Sequence, residues 1–144
     1  MRFRSIETTM FCLDTNIVIF GLNGRNAAVA QRLDRELAAG TELLVPAIVL
    51  FELRVGIAKS DRRAASRVLL DNFLAAGFLH PAFDSEDARE AADIRAYLEQ
   101  KGTPIGPYDT LIAAQARRRG ATLVTANIRE FARVPRLGVI DWAA

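Results

Sequence analysis

The chain has 144 residues, 51% hydrophobic and 25% charged, with a formal net charge of +2; it is long enough for one domain to bury its own core, and no apolar run reaches the length that crosses a bilayer. One cysteine, Cys12, and one histidine, His80, argue against a disulfide framework, a cysteine-ligated zinc site and paired-histidine catalysis, which leaves acid–base work to carboxylates or a metal and fits a reducing cytoplasm. All basic residues except Lys59 and Lys101 are arginine; arginine is favoured for phosphate contacts, although an Arg- and Ala-rich base composition accounts for the count equally well.

Met1 to Thr9 shows no periodicity, and Met10 stands directly before the first apolar run. We therefore read residues 1–9 as a non-native or disordered extension and residues 10–144 as the single domain. Phe11-Cys12-Leu13 reads as a short buried strand, followed at once by Asp14-Thr15-Asn16 and the apolar run Ile17 to Phe20. From Asn26 to Ala39, Val29, Leu33 and Leu37 recur at helical spacing and Gly40 closes the pattern, which predicts an amphipathic helix. Glu42 to Val45 is the second strand. Pro46 suits the first turn of a mostly buried helix reaching Lys59, with Glu52 as its one acid.

Asp61 to Ala76 is predicted as a helix with Val68, Leu69 and Phe73 inward and Arg62, Arg63 and Arg67 outward, and Phe78-Leu79 as a weak strand, with His80 a polar residue at its end. Asp84 caps the next helix together with Asp87, and Gly102 stops it; Asp87 and Asp93 read as capping or surface groups. In Thr103-Pro104-Ile105-Gly106-Pro107-Tyr108-Asp109 the prolines and glycines end one helix, and Thr110-Leu111-Ile112-Ala113-Ala114 begins another. Asp109 falls in its first turn, where free N–H groups and the helix dipole favour an ionised carboxylate at neutral pH. Arg117-Arg118-Arg119-Gly120 reads as the C-terminus of that helix. Ala121 to Thr125 is a further strand, followed by Asn127, and Val139-Ile140 is a last short one.

Strands alternating with helices imply a three-layer α/β/α sandwich around a central, mainly parallel sheet. Ligands of such sheets bind beyond the carboxyl ends of the strands, where strand order reverses. Asp14 and Asn127 each follow a strand and Asp109 starts a helix facing the same edge, so the three share one rim. Glu52 lies in apolar surroundings without a cation three or four residues away, which makes its charge costly unless it faces a cavity or a cation. Taken singly, Asp14, Asn127 and Glu52 are explained as well by turns, caps or a solvated strip. Together, acids converging without His or Cys call for a hard divalent cation, Mg²⁺ or Mn²⁺, whose common use is to orient a phosphate and activate a water.

Leu13-Asp14-Thr15-Asn16, Pro46 to Leu53, Pro104 to Ala114 and Leu123 to Phe131 resemble, in order, the four motifs of PIN-domain ribonucleases, and most closely the VapC-type toxins of bacterial toxin–antitoxin pairs. The resemblance covers about Phe11 to Trp142. It implies that Asp14 and Asp109 are the principal metal ligands, that Glu52 completes the acidic site or acts as general base, and that Asn127 takes the fourth position. Many PIN domains have Asp there, and an amide adds no charge for a second metal. It further implies an endoribonuclease acting on RNA, with tRNA one candidate, a homodimer or higher toxin–antitoxin assembly, and inhibition by a VapB-like antitoxin. Two rival readings stand beside it. Asp14-Thr15-Asn16-Ile17-Val18 partly imitates the nucleophile motif of haloacid-dehalogenase-like phosphatases, which also need a lysine after a later strand. A catalytically idle PIN scaffold that binds RNA or protein is the other.

Overall fold

The computed structural model describes residues 9–143, so the expected extension at residues 1–9 lies outside the described residues except for Thr9. Eleven elements run in the order β1 (Met10–Leu13), α1 (Thr15–Asn23), α2 (Ala27–Ala38), β2 (Glu42–Leu44), α3 (Ala47–Ala58), α4 (Arg63–Leu74), α5 (Ser85–Gln100), α6 (Pro107–Arg118), β3 (Thr122–Val124), α7 (Ile128–Phe131) and β4 (Val139–Ile140) among the described residues. The strands form one sheet in the order β2-β1-β3-β4, and every pairing is parallel. Parallel strands need crossovers, which the helices supply while covering the sheet. Leu79 adds a parallel bridge to Leu44, outside β2, so the weak strand at Phe78-Leu79 is a single bridge. His80 beside it approaches the Val45 carbonyl through Nδ1 at 3.2 Å.

β1 sits between β2 and β3, so the chain leaves β1 towards one side and later returns to the other. That reversal opens a crevice at the carboxyl ends of β1 and β3. The inner strands β1 and β3 are apolar except for Thr122, with Cys12, Leu13, Leu123 and Val124 fully buried, as is Leu43 of β2. α6 is the most enclosed helix, with Thr110 and Ile112 through Ala116 buried, and it packs against α5.

Local chemistry explains most boundaries. Asn26 caps α2 through Val29 N–H, and Gly40 after it is left-handed. Asp84 and Asp87 form a reciprocal capping box on α5, Pro107 occupies the first turn of α6, and Arg117 and Arg118 lie in its last turn.

Three expectations are corrected. Val68 and Leu69 face outward, 59% and 51% exposed, while Leu70 is the fully buried residue of α4. α4 packs mainly against α1 and α3, so one narrow stripe suffices and the arginine pattern does not define its inner face. α3 is half-exposed rather than mostly buried, with Val49 and Leu53 its only buried residues. Asp87 caps its helix as expected but lies wholly inside the protein, bonded to Arg118 and Arg119 at 3.1 and 2.8 Å. With Arg117 paired to Glu90 at 2.6 Å, the arginine run ties α6 to α5 besides ending its helix.

Candidate active site

β1 ends at Leu13, and the next residue caps α1. Asp14 takes extended geometry, its Oδ1 accepts the Thr15 N–H at 2.8 Å, and its carbonyl accepts from Ile17 and Val18. Its own N–H donates to Val124, which extends the β1–β3 ladder by one residue and pins Asp14 at the crevice. Oδ2 accepts the Thr125 hydroxyl at 2.8 Å, directly beyond β3. Asp14 is only 7% exposed. Burial raises its pKa above the ordinary carboxylate value, the Thr125 and Thr15 hydrogen bonds work against that rise, and the negative charges of Glu52 and Glu130 add to it.

Glu52 reaches the same place from α3, where its Oε1 accepts the Thr15 hydroxyl at 2.7 Å. Thr15 thus holds Asp14 through its N–H and Glu52 through its hydroxyl. The cation closest in sequence, Arg54, is bonded to Asp71 at 2.9 Å, so Glu52 receives no charge compensation from its own helix.

Asp109 lies in the first turn of α6 as expected, but its ionisation is not. Its pKa is pushed up to about 7, first by burial, then by a hydrogen bond with Glu130, and then by the charges of Glu130, Asp14 and Glu52. Removal from water and three nearby acids outweigh a helix dipole worth about 0.3–1 kcal/mol at an exposed terminus.

Glu130 is the residue that sequence reasoning missed. It lies on α7, and its Oε1 accepts the Gly106 N–H at 3.0 Å while Oε2 accepts the Asn127 side-chain amide at 2.6 Å. Those bonds, led by the Gly106 N–H, lower its pKa, so Asp109 holds the shared proton and Glu130 the charge. The available signal was the three-residue spacing from Asn127 to Glu130, which puts both on one helical face. Gly106 matters sterically: a Cβ there would stand 3.3 Å from Asp109 Oδ2 and 3.9 Å from Glu130 Oε1, so a side chain would crowd this carboxyl pair.

The structure therefore brings Asp14, Glu52 and Asp109 into mutual electrostatic reach and adds Glu130. Asn127 is exposed; its N–H donates to the Thr125 hydroxyl, and its side chain joins the group through Glu130. No three His, Cys, Asp or Glu side chains among the described residues close round one point as a metal cage. The donor chemistry still fits a hard divalent ion, since every acid donor is an oxygen, Mg²⁺ characteristically takes one or two carboxylates and keeps its waters, and a cation relieves the repulsion that burdens Asp14 and Asp109. Neither lysine follows a strand, since Lys59 and Lys101 cap the C-termini of α3 and α5; this removes the lysine that the phosphatase reading requires.

Comparison with known proteins gives consistent results. The PIN domain family pattern matches residues 11–137. The chain is 34% identical over 132 residues to the tRNA(fMet)-specific endonuclease VapC of Salmonella typhimurium, covering 92% of this chain and 97% of that protein. It is 36% identical over 133 residues to the protein of the same name from Shigella flexneri, covering 92% and 98%. Among solved structures, VapBC2 from Rickettsia felis bound to a promoter DNA fragment superposes with a TM-score of 0.86 at 34% identity, covering 93% of this chain and 99% of that one. DNA-bound VapBC from Salmonella typhimurium does so at 0.85 and 34%, covering 93% and 98%.

Proposed function

This chain belongs to the PIN domain family and, within it, to the VapC ribonucleases, and from that premise we propose a divalent-metal-dependent endoribonuclease whose centre is Asp14, Glu52, Asp109 and Glu130. It is the toxin of a toxin–antitoxin pair, and its protein partner is a VapB-type antitoxin. The observation that carries the catalytic reading is the convergence of four carboxylates, from the β1–α1 junction, α3, α6 and α7, on the reversal point of the sheet.

Asp14 and Asp109 would hold Mg²⁺ or Mn²⁺, with Glu52 completing the acidic set. Such an ion supplies Lewis acidity towards a phosphodiester and makes an attacking water more acidic. The protein's own groups do the rest. Thr125 and Thr15 fix both oxygens of Asp14, which sets its direction. Thr15 fixes one oxygen of Glu52, which leaves the other to take a proton from the attacking water as general base. Gly106 and Asn127 hold Glu130 against Asp109, and Glu130 keeps the Asp109 carboxyl in place. Asn127 supports the site as an amide donor.

The relatives named for tRNA(fMet) make initiator tRNA the first substrate to try. Cytoplasmic placement follows from such a substrate, and no helix among the described residues is long and apolar enough to cross a membrane. A homodimer is the assembly we expect. Purified protein is to be incubated with initiator and elongator methionine tRNA in Mg²⁺, in Mn²⁺ and with chelator, alongside Asp14→Asn. Metal-dependent cleavage lost in Asp14→Asn supports the reading. Cleavage that persists in chelator, or that Asp14→Asn leaves at the parent rate, overturns it. Absence of cleavage in every metal would leave the idle scaffold as the better reading.

A further inference from the structure

We propose that Phe51 and Tyr108 form a stacking platform for an unpaired nucleobase at the edge of the acidic site. The inference rests on the ribonuclease reading and specifies which part of the RNA is gripped there. Each ring is 47% exposed, their centroids lie 5.4 Å apart and their planes are inclined by 53°. Phe51 immediately precedes Glu52 on α3, and Tyr108 immediately precedes Asp109 on α6. The two helices that deliver carboxylates to the crevice thus each also deliver a half-exposed aromatic ring, and the rings meet.

An acidic crevice explains why the contact is aromatic. Four neighbouring carboxylates repel phosphates, and of the cations near them in sequence Arg54 is paired with Asp71 and Arg133 is bonded to the Pro104 carbonyl, while Arg129 beside Glu130 is exposed. The flat face of a base is the part of an RNA strand that such a site can hold without adding charge, and stacking on Tyr or Phe tolerates any base. In a duplex those faces are covered by neighbouring bases, so a platform selects unpaired segments such as loops. A subunit contact needs roughly 800 Å² from each partner, whereas an aromatic side chain offers about 150–250 Å² even when wholly exposed. Two half-exposed rings are therefore enough for one base and too little for a dimer interface of their own.

The test compares parent, Phe51→Ala/Tyr108→Ala and the conservative Tyr108→Phe on a single-stranded oligoribonucleotide, with sedimentation run on each. The double substitution should raise KM about ten-fold or more, with a smaller effect on kcat, leave the oligomeric state unchanged, and Tyr108→Phe should behave as the parent. A second arm does not depend on cleavage. Phe51→Trp in an Asp14→Asn background places an exposed indole at the platform, whereas Trp142 is only 5% exposed. Its fluorescence should be quenched by the single strand and much less by a duplex of equal length. Unchanged KM in the double variant while the parent cleaves RNA, or equal quenching by single strand and duplex, overturns the platform alone. A shift of the double variant to a smaller assembly assigns the rings to a subunit contact and overturns it too. Failure of the parent to cleave any RNA strikes at the ribonuclease reading, and the fluorescence arm then still decides whether a base stacks there.

Discussion

Asp109 keeps its proton up to about pH 7, well above the ordinary carboxylate range. The folded protein therefore holds a proton that the unfolded chain has released, and ionising Asp109 costs stability as pH climbs from about 4 to about 7. Asp109→Asn is uncharged at every pH. Its Tm should exceed the parent's at pH 8 and the gap should close towards pH 5, while RNA cleavage is lost. A Tm below the parent's at pH 8 would mean that ionised Asp109 does not destabilise the fold there, and would overturn the raised ionisation. Asn127→Asp tests the neighbouring contact from the other direction. It replaces the amide that donates to Glu130 with a like charge, which raises repulsion in the metal-free site and attraction for a divalent ion. Calorimetric titration with Mn²⁺ should show tighter binding than the parent, and equal affinity and stoichiometry would put residue 127 outside the ion's reach.

At the scale of elements, α6 is held by polar ties on two sides. Asp87 on α5 is fully buried against Arg118 and Arg119, and its pKa is lowered, because the arginine and cap hydrogen bonds outweigh burial. Its stabilising effect is present above the ordinary carboxylate pKa and is lost as pH falls through the lower folded value, the opposite sign to Asp109. Asp87→Asn should cost about 2 kcal/mol near neutral pH, less than for an ion pair wholly cut off from water because both arginines keep some solvent access. The deficit should shrink in acid, as denaturant titrations at pH 7 and pH 3 would show. On the other side, fully buried Gln115 accepts from the Ile48 N–H at 3.4 Å and donates to the Pro81 and Ala82 carbonyls at 3.2 and 3.3 Å. Ile48 lies one turn before Glu52, so this side chain links the helix of Asp109 to the start of the helix of Glu52. Gln115→Leu leaves the Ile48 N–H unpaired, while the Pro81 carbonyl keeps the Ala47 N–H and the Ala82 carbonyl keeps Arg119, and should cost about 2 kcal/mol. It should also lower kcat at temperatures where the fold is intact, whereas Leu98→Ala, a cavity in α5, should lower Tm with kcat retained.

For the whole molecule, a metal that binds the native crevice and not the unfolded chain adds stability as RT ln(1 + [L]/Kd), about 1.4 kcal/mol when the free ion is at ten times its Kd. Mg²⁺ or Mn²⁺ should therefore raise the parent's Tm in a concentration-dependent way, chelator should reverse the rise, and Asp14→Asn should show little of it. Equal shifts in parent and variant would assign the effect to ions bound elsewhere.

The local order of residues was sufficient to locate Asp14 after a strand, Asp109 in a first helical turn, the capping box of Asp84 and Asp87, and the alternation that makes a parallel sheet. Strand ends, caps and breakers are decided by neighbours within a turn or two, and those neighbours are adjacent in the chain. The ionisation of Asp109 depends on exclusion from water and on acids supplied by the β1–α1 junction, α3 and α7, none of which is its neighbour in sequence. Glu130 entered the site for the same reason: its bond to the Gly106 N–H spans 24 residues and exists only once α7 docks beside α6. The burial of Asp87 and the exposure of Val68 and Leu69 depended likewise on which helix lies opposite. Periodicity marks where a helical face lies, and only the packed partner determines how much of that face leaves water.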